Sequence, residues 1–487
     1  MRRPTLILGL LLVACTRRPS PTVAVRDVTL VDVLDGSLHP DRTVLIEGNR
    51  IVAVGPTDEV AIGGDADVIE GAGGYLIPGL WDMHVHSVAN VALDLSVESV
   101  INADWHFPLF IAYGVTGVRN MGDGTADPTL ELTRSVKRRL AEGGLVGPRL
   151  LAAGPAVDGD PPLNSNPVVV RTPAEARAVV GKLADHGADF IKVYENLSRE
   201  AYFAILEEAR RRGLRVDGHV PFRVRPAEAA DAGQRTFEHV LAMALGCSRE
   251  ADAERAAFAK VLSDPSRPKR IEQPPLDLFR HERRLYDTRD PAACAETIAA
   301  YRRNGTAEAP SLVGYHHVGN AEELLSDSSM QLIPAAIRRN WEEGMRSEVA
   351  RTMISILGPI VPLQAENTRL LHEAGVTLLA ATDVGIPMLV PGLSLHQELV
   401  LLADAGLTPL EALRTATLNP ARVMGLADSL GTIEVGRLAD LVLLDANPLA
   451  DISNTQRIRA VIANGRLFRR ADLDRLLAGV GSSPGQP

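Results

Sequence analysis

The chain has 487 residues, 46% of them hydrophobic and 23% charged, a balance that excludes a disordered chain or a multi-spanning membrane protein. That length suits a large domain with a smaller partner better than one compact unit. A formal net charge of -10 counts against nucleic acid as a partner, because phosphate contacts need clustered Lys and Arg. Of the three cysteines, Cys247 and Cys294 could pair in an oxidising compartment. Their spacing makes neither a disulfide framework nor a thiolate metal site.

The first segment, MRRPTLILGLLLVAC, carries Arg2 and Arg3 and then an apolar run from Leu6 to Ala14. The run is too short to span a bilayer as a helix and reads as an export signal. It ends in Leu12-Val13-Ala14-Cys15, which resembles the lipobox of bacterial lipoproteins. That resemblance implies lipidation of Cys15 as the first residue of the mature chain. Several acyl chains would hold it stably, since each buried methylene contributes roughly 0.8 kcal/mol. With Thr16 rather than Asp after the Cys, the lipoprotein resemblance implies the outer membrane and a periplasm-facing envelope protein that meets the membrane through its lipid anchor only. TRRPSPT then reads as a polar tether, so that residues 1–21 are signal and linker.

Residues 22–75 alternate apolar and polar positions between Gly-containing turns and read as strands. The same texture returns in GTIEVGRLADLVLLDANP and RIRAVIANGRLF. One small β-sandwich domain built from residues 22–75 and 426–475 is therefore expected, with residues 76–425 inserted as the large domain. There, strands are read at 79–86, 115–121, 149–154, 189–195, 215–220, 235–240, 309–315 and 377–383. Helices alternate with them. Thr172-Pro173 with Glu175 and Thr408-Pro409 with Glu411 are N-cap, first-position Pro and capping acid, while Ser198 and Gly213 bracket a third helix. Eight such units fit an α/β fold, a (β/α)8 TIM barrel, in preference to an open doubly wound sheet. Residues 241–308 and 316–363 exceed ordinary connections and, as loops of the catalytic face, are expected to form a lid or wall.

In LIPGLWDMHVHS, His84 and His86 are two apart on a strand and share a face. Alone the pair is ambiguous. His219, His239 and Asp383, however, fall near the ends of the fifth, sixth and eighth strands, at one rim of the same barrel. Lys192 sits mid-strand among apolar residues, where a bare ammonium is costly to bury. Burial lowers a lysine's pKa, and the neutral amine can add carbon dioxide to become a carbamate able to bridge two metals.

These residues and the segments IPGLWDMHVH, GVTGVRNMGD, GPRLLAAG, GADFIKVY, GHVP, FEHV, AATD, GLSLHQEL and TPLEALRTATLNPARVMGL resemble the amidohydrolase superfamily, in its imidazolonepropionase-like and prolidase-like branch. The resemblance covers about residues 22 to 470. It implies a binuclear site: His84 and His86 on the more buried metal with Asp383, His219 and His239 on the more exposed one, and carboxylated Lys192 between them. Nitrogen and oxygen ligands without sulfur favour Zn2+, with Mn2+, Fe2+ or Co2+ as alternatives. It further implies a metal-bridged hydroxide as nucleophile and Asp383 as general acid and base. Three features depart from relatives: Asn120 stands where Asp is common, VPFRVRP follows His219, and Lys192 argues against the single-metal imidazolonepropionase arrangement.

Tyr194, two residues beyond Lys192, is a candidate to hydrogen-bond an oxyanion or a substrate carboxylate. His316 and His317 are candidate substrate contacts, and Arg119 reads as an internal ion pair. His106, His372 and His396 read as structural, while VGIPMLVPG after Asp383 suits a hydrophobic substrate group. The expected activity is hydrolysis of a small-molecule amide or dipeptide. An esterase, lactonase or phosphotriesterase using the same centre is the alternative, with an inactive ligand-binding lipoprotein behind it. A homo-oligomer stays open.

Overall fold

The computed structural model describes residues 22–88, 103–122, 126–162, 167–263 and 276–479. The signal segment and Cys15 lie outside the described residues. Strands β1 (Thr22–Val31), β2 (Leu38–Glu47), β3 (Arg50–Pro56), β4 (Asp67–Glu70) and β5 (Tyr75–Pro78) lead into the barrel. The barrel strands are β6 (Leu80–Val85), β7 (Val115–Asn120), β8 (Arg149–Ala152), β11 (Phe190–Val193), β12 (Arg215–Gly218), β13 (Thr236–Glu238) and β14 (Ala307–Ala309). Two short strands, β9 (Val157–Asp158) and β10 (Val168–Val169), precede β11. Strands β15 (Leu441–Leu444), β16 (Ile458–Ala463) and β17 (Arg466–Arg469) follow it.

The two ends of the chain meet in one eight-stranded sheet of order β17-β16-β15-β5-β1-β2-β3, with β4 beside β1. The seam is the antiparallel pair β5–β15, in which Tyr75 faces Leu444 and Pro78 faces Leu441. Period-two alternation lets these strands serve two cores. Leu76, Leu441 and Leu443 pack with Val25, Val44 and Ile46 inside the terminal sheet. Their neighbours Ile77, Val442 and Leu444 join the barrel-side core instead.

In the barrel, β6, β7 and β8 pair in parallel, as do β11, β12, β13 and β14. Asp189 N–H donates to the Ala152 carbonyl at 3.0 Å, joining β8 to the start of β11. The ring closes through residues 377–384, which form bridges rather than a regular strand. Leu379 N–H reaches the Glu308 carbonyl at 2.9 Å on one side, and Asp383 N–H reaches the His84 carbonyl at 2.8 Å on the other.

One strand expectation is corrected. Instead of 309–315, the seventh strand is Ala307–Ala309, and Leu312–Gly319 is a helix. Pro310 cannot donate to a ladder, and Ser311 turns the chain with φ 51°, so the apolar run after it coils. Buried Glu308 disguised the true strand, since a carboxyl is not the residue a barrel interior ordinarily holds.

Both long connections are largely helical. After β13 come helices Leu241–Cys247, Ala251–Leu262, Leu276–Asp287 and Pro291–Asn304. After β14 come Leu312–Gly319, Ala335–Met345, Glu348–Leu357 and Val361–Glu373, among shorter turns. Phe222, beyond β12, stacks on Phe258 at 4.3 Å between ring centroids. Leu245, Leu285, Leu357 and Ile360 fill in around that pair. Cys247 and Cys294, whose pairing the sequence left open, are disulfide-bonded and tie the first of these connections to itself.

Candidate metal centre

The C-terminal ends of the barrel strands deliver the expected residues to one place. His84 comes from β6 with His86 just beyond it, Lys192 from β11, His219 and His239 from the residues after β12 and β13, and Asp383 from the closing segment. His84 Nε2 and His86 Nε2 stand 3.4 and 3.2 Å from Asp383 Oδ1, and His239 Nε2 stands 3.9 Å from Oδ2. Donor atoms of His84, His239 and Asp383 all fall within 4.8 Å of one another. The His219 ring lies 5.0 Å from that of His239.

The far ring nitrogens show why the near ones face inward. His84 Nδ1 is 2.9 Å from Glu238 Oε2, His86 Nδ1 is 2.5 Å from the Gly122 carbonyl, and His219 Nδ1 is 2.8 Å from Glu195 Oε1. An acceptor at Nδ1 holds the proton there and leaves the Nε2 lone pair free for a cation. Glu238 is held in turn by Arg119 Nη2 at 2.9 Å and Thr236 Oγ1 at 2.6 Å. Arg119, fully buried, also donates to Asp217 and to the Met83 carbonyl. It is an internal ion-paired strut beneath the centre.

Lys192 is buried, and its Nζ has no hydrogen-bond partner among the described residues. Burial pushes the ammonium down to about 8 against the opposing pull of Glu238 and Asp383. Gly218, at φ 123°, makes room for this side chain: a Cβ there would lie 2.4 Å from the Val193 carbonyl oxygen and 2.7 Å from Lys192 Cδ. The Tyr194 ring stacks on His219 at 4.3 Å between centroids, with Lys192 Nζ 5.7 Å from its own centroid.

Burial, then the Lys192 charge, holds His84 and His219 well below the ordinary imidazole range. Burial takes His239 to about 3. All three are neutral near pH 7, the form that ligates. Burial works to raise the Asp383 carboxyl, but the His86 hydrogen bond and the charges of His239, His86 and Lys192 outweigh it and hold it below its ordinary value. Asp383 therefore stays ionised.

The backbone is unusual at the same places. His239, Val240 and Asp383 have φ of 64°, 52° and 65°, values non-glycine residues rarely adopt. Buried Glu308 sustains one of these turns by accepting the Val240 N–H at 2.9 Å and the Tyr301 hydroxyl at 2.6 Å. Asp82 sustains the other, accepting Thr382 Oγ1 at 2.6 Å and Thr382 N–H at 3.1 Å.

The six expected ligands are thus brought together, with Tyr194 beside them. His316 and His317 lie instead on the helix Leu312–Gly319, where buried His317 uses Nδ1 to bond the Met388 carbonyl at 2.9 Å. His106 bonds Ser87, and His396 bonds Thr455 and the Tyr113 carbonyl. Sequence reasoning missed Glu195, Glu238, Glu308 and Asp82. Each is an acid inside or beside a barrel strand, and that placement was the available signal.

Residues of this kind fit divalent cations: among the described residues, imidazole nitrogens and carboxylate oxygens with no thiolate, tautomers already set, and a buried amine lacking a hydrogen-bond partner. Fold and donor set define a (β/α)8 barrel carrying a candidate metal centre.

Comparison with known proteins agrees. The amidohydrolase family model matches residues 317–468. The imidazolonepropionase of Geobacillus thermodenitrificans is 26% identical over 435 residues, covering 83% of this chain and 84% of that protein. The imidazolonepropionase of Geobacillus sp. (strain WCH70) is 29% identical over 173 residues, and the match spans 34% of this chain and only 38% of the relative. A Xaa-Pro dipeptidase crystal structure with methionine in its active site superposes with a TM-score of 0.66 at 22% identity, covering 92% of this chain and 100% of that one. Within residues 317–468 the chain matches the amidohydrolase family, along most of its length it is similar to an imidazolonepropionase, and it shares its fold with a Xaa-Pro dipeptidase structure.

Proposed function

We propose that the protein is a metal-dependent hydrolase that cleaves an amide or peptide bond in a small substrate. The observation that carries this reading is Lys192, a buried amine without a hydrogen-bond partner among the described residues, whose charge bears on His84, His219, His239 and Asp383. His84, His86, His219, His239 and Asp383 would hold two divalent cations, Zn2+ first among them, with Lys192 as its carbamate between the pair. Such cations would supply Lewis acidity toward a carbonyl and a water of lowered pKa.

The chain's own residues supply the rest. Asp383, whose carboxylate is favoured by the His86 hydrogen bond, can take a proton from the attacking water and return it to the departing amine. Tyr194, half-buried and stacked on His219, would serve as the hydrogen-bond donor to substrate. Glu238, Glu195 and the Gly122 carbonyl keep the imidazoles oriented.

A panel of dipeptides, N-acyl amino acids, lactones and organophosphates, tried on metal-loaded protein lacking residues 1–21, tests the activity. Turnover of esters or organophosphates with no amide cleaved would sink the amide assignment in favour of the esterase class. Full activity and both metals in Lys192→Ala would sink the carbamate.

We propose further that the protein is lipid-anchored at Cys15 in the bacterial envelope. The Cys247–Cys294 disulfide supports an oxidising compartment. Fractionation tests it: Cys15→Ser should leave the membrane fraction, and retention there would refute the anchor.

A further inference from the structure

Beside the metal centre, three helices from the two long connections turn buried polar faces toward one another. Glu282 and Tyr286 are four apart on Leu276–Asp287, and Gln364 and Asn367 are three apart on Val361–Glu373. Ser311, which opens Leu312–Gly319, is four residues from Tyr315. Residues at these spacings share a helix face. Leu312–Gly319 packs on Val361–Glu373, and both it and Leu276–Asp287 pack on Glu348–Leu357. The Tyr315 hydroxyl neighbours both Glu282 and Gln364.

What sets the cluster apart is how little of it is satisfied. Tyr315 lies against Glu282 and Gln364, Tyr286 lies against Asn367, and Asn367 Oδ1 accepts from Arg289, yet Glu282 Oε1, Tyr286 OH, Ser311 Oγ, both Gln364 side-chain polar atoms and Asn367 Nδ2 are buried without a well-formed hydrogen bond among the described residues. Glu282 is 4% exposed, and Gln364 and Asn367 are fully buried. Buried polar atoms are nearly always paired, so several idle ones converging from three helices point to something that completes them. The charged group acting on Glu282 is another acid, Glu195, which also bonds the ligand His219. Arg289, the cation at the edge of the cluster, is already engaged by Glu366 and Asn367, so the acid Glu282 and the idle acceptors around it are complementary to a further cation that donates hydrogen bonds.

We propose that Glu282, Tyr286, Ser311, Tyr315, Gln364 and Asn367 form the subsite that receives a protonated amine on the substrate, away from the bond to be cut, with Glu282 as its counter-ion. Calling the ligand a substrate rests on the hydrolase reading above; the amine site itself does not. Gln364 Oε1 and the Tyr286 hydroxyl accept the ammonium's two remaining hydrogens.

The test uses the full-length, zinc-loaded protein in detergent. It compares Lys-Pro with norleucyl-Pro and Ala-Lys with Ala-norleucine, and titrates n-pentylamine against n-pentanol by calorimetry. A hydrogen bond to a charged group contributes about 1.5–3 kcal/mol, so the lysine substrate of one pair should lead in kcat/KM by about 10-fold to 100-fold. E282Q, isosteric and uncharged, should abolish that preference, read as the ratio of lysine to norleucine kcat/KM, together with pentylamine binding, with zinc content measured alongside. Gln364→Glu, which adds an acid, should raise the preference, and it serves if E282Q does not fold. Equal rates within each pair for the natural protein, or an equal loss for lysine and norleucine substrates in E282Q, overturns the proposal and leaves a site for buried water only. If no amide is cleaved, the hydrolase reading fails and calorimetry decides the subsite: pentylamine binding lost in E282Q supports it, and no binding or unchanged binding overturns it.

Discussion

The floor of the candidate metal centre and the helical cluster beside it are both buried and polar, yet they are finished to different degrees. Beneath His84, Arg119 donates to Glu238, Asp217 and the Met83 carbonyl, Thr236 donates to Glu238, and the far nitrogen of His84 meets Glu238. Across the wall, Glu282, Gln364 and Asn367 keep buried atoms idle. A connected network fixes its members in one arrangement, whereas idle groups in low dielectric favour whatever ligand satisfies them. Floor changes should therefore disturb metal and rate for every substrate, and wall changes should alter which substrate is chosen.

The largest expected effect is at the centre itself. Asp383→Asn removes the ionised carboxylate and should lower kcat by about 10²–10⁴-fold on all substrates, as loss of a general acid–base group does. Steady-state kinetics across the panel check it, and a loss confined to one substrate class would blur the distinction between floor and wall. Next comes Glu238→Gln, which leaves His84 in place but weakens the acceptor at its Nδ1. Zinc affinity should fall by about 10–100-fold, measured by competition with a chelator.

Gly218→Ala is expected to act through shape. Its Cβ would meet the Val193 carbonyl oxygen and the stem of Lys192 at a positive φ, which should lower stability by about 1–3 kcal/mol and reduce metal retention together. Chemical denaturation with parallel metal analysis separates the two readouts.

The smallest effect belongs to the wall and depends on pH. Burial, reinforced by Glu195, pushes Glu282 up to about 8 from an ordinary 4.5. The folded chain thus keeps a proton that the unfolded chain releases. The stability this contributes is fully present below pH 4.5 and is lost as pH rises through 8. In E282Q that component is absent, so the Tm of the variant relative to the natural protein should improve between pH 5 and pH 8. A Tm difference that stays flat over that range would show Glu282 already ionised in the folded state.

Much of the metal centre was legible because its chemistry requires rare residues in regular places. Two histidines two apart on a strand, a lysine inside an apolar strand, and histidine or aspartate at later strand ends are all features of primary sequence. The acids behind them were not legible. Glu238 bonds His84 across 154 positions and Asp82 reaches Thr382 across 300, and no local pattern announces either pair. The seventh strand was misplaced for a related reason: Glu308 breaks the apolar run because it answers the Val240 amide and the Tyr301 hydroxyl.

Taken by itself, the amino-acid order determined the alternation of strands and helices, the caps of Thr172, Ser198 and Thr408, and which side chains could bind metal. Those follow from backbone preference and the chemistry of single residues, which are local. Only the tertiary structure decided that the two chain ends share one sheet, that Cys247 meets Cys294, that His317 serves Met388, and that Glu282 and Gln364, from different helices, both bury polar atoms around Tyr315. Those outcomes depend on which desolvated groups find partners across hundreds of residues, a property of the packed molecule rather than of any stretch of it.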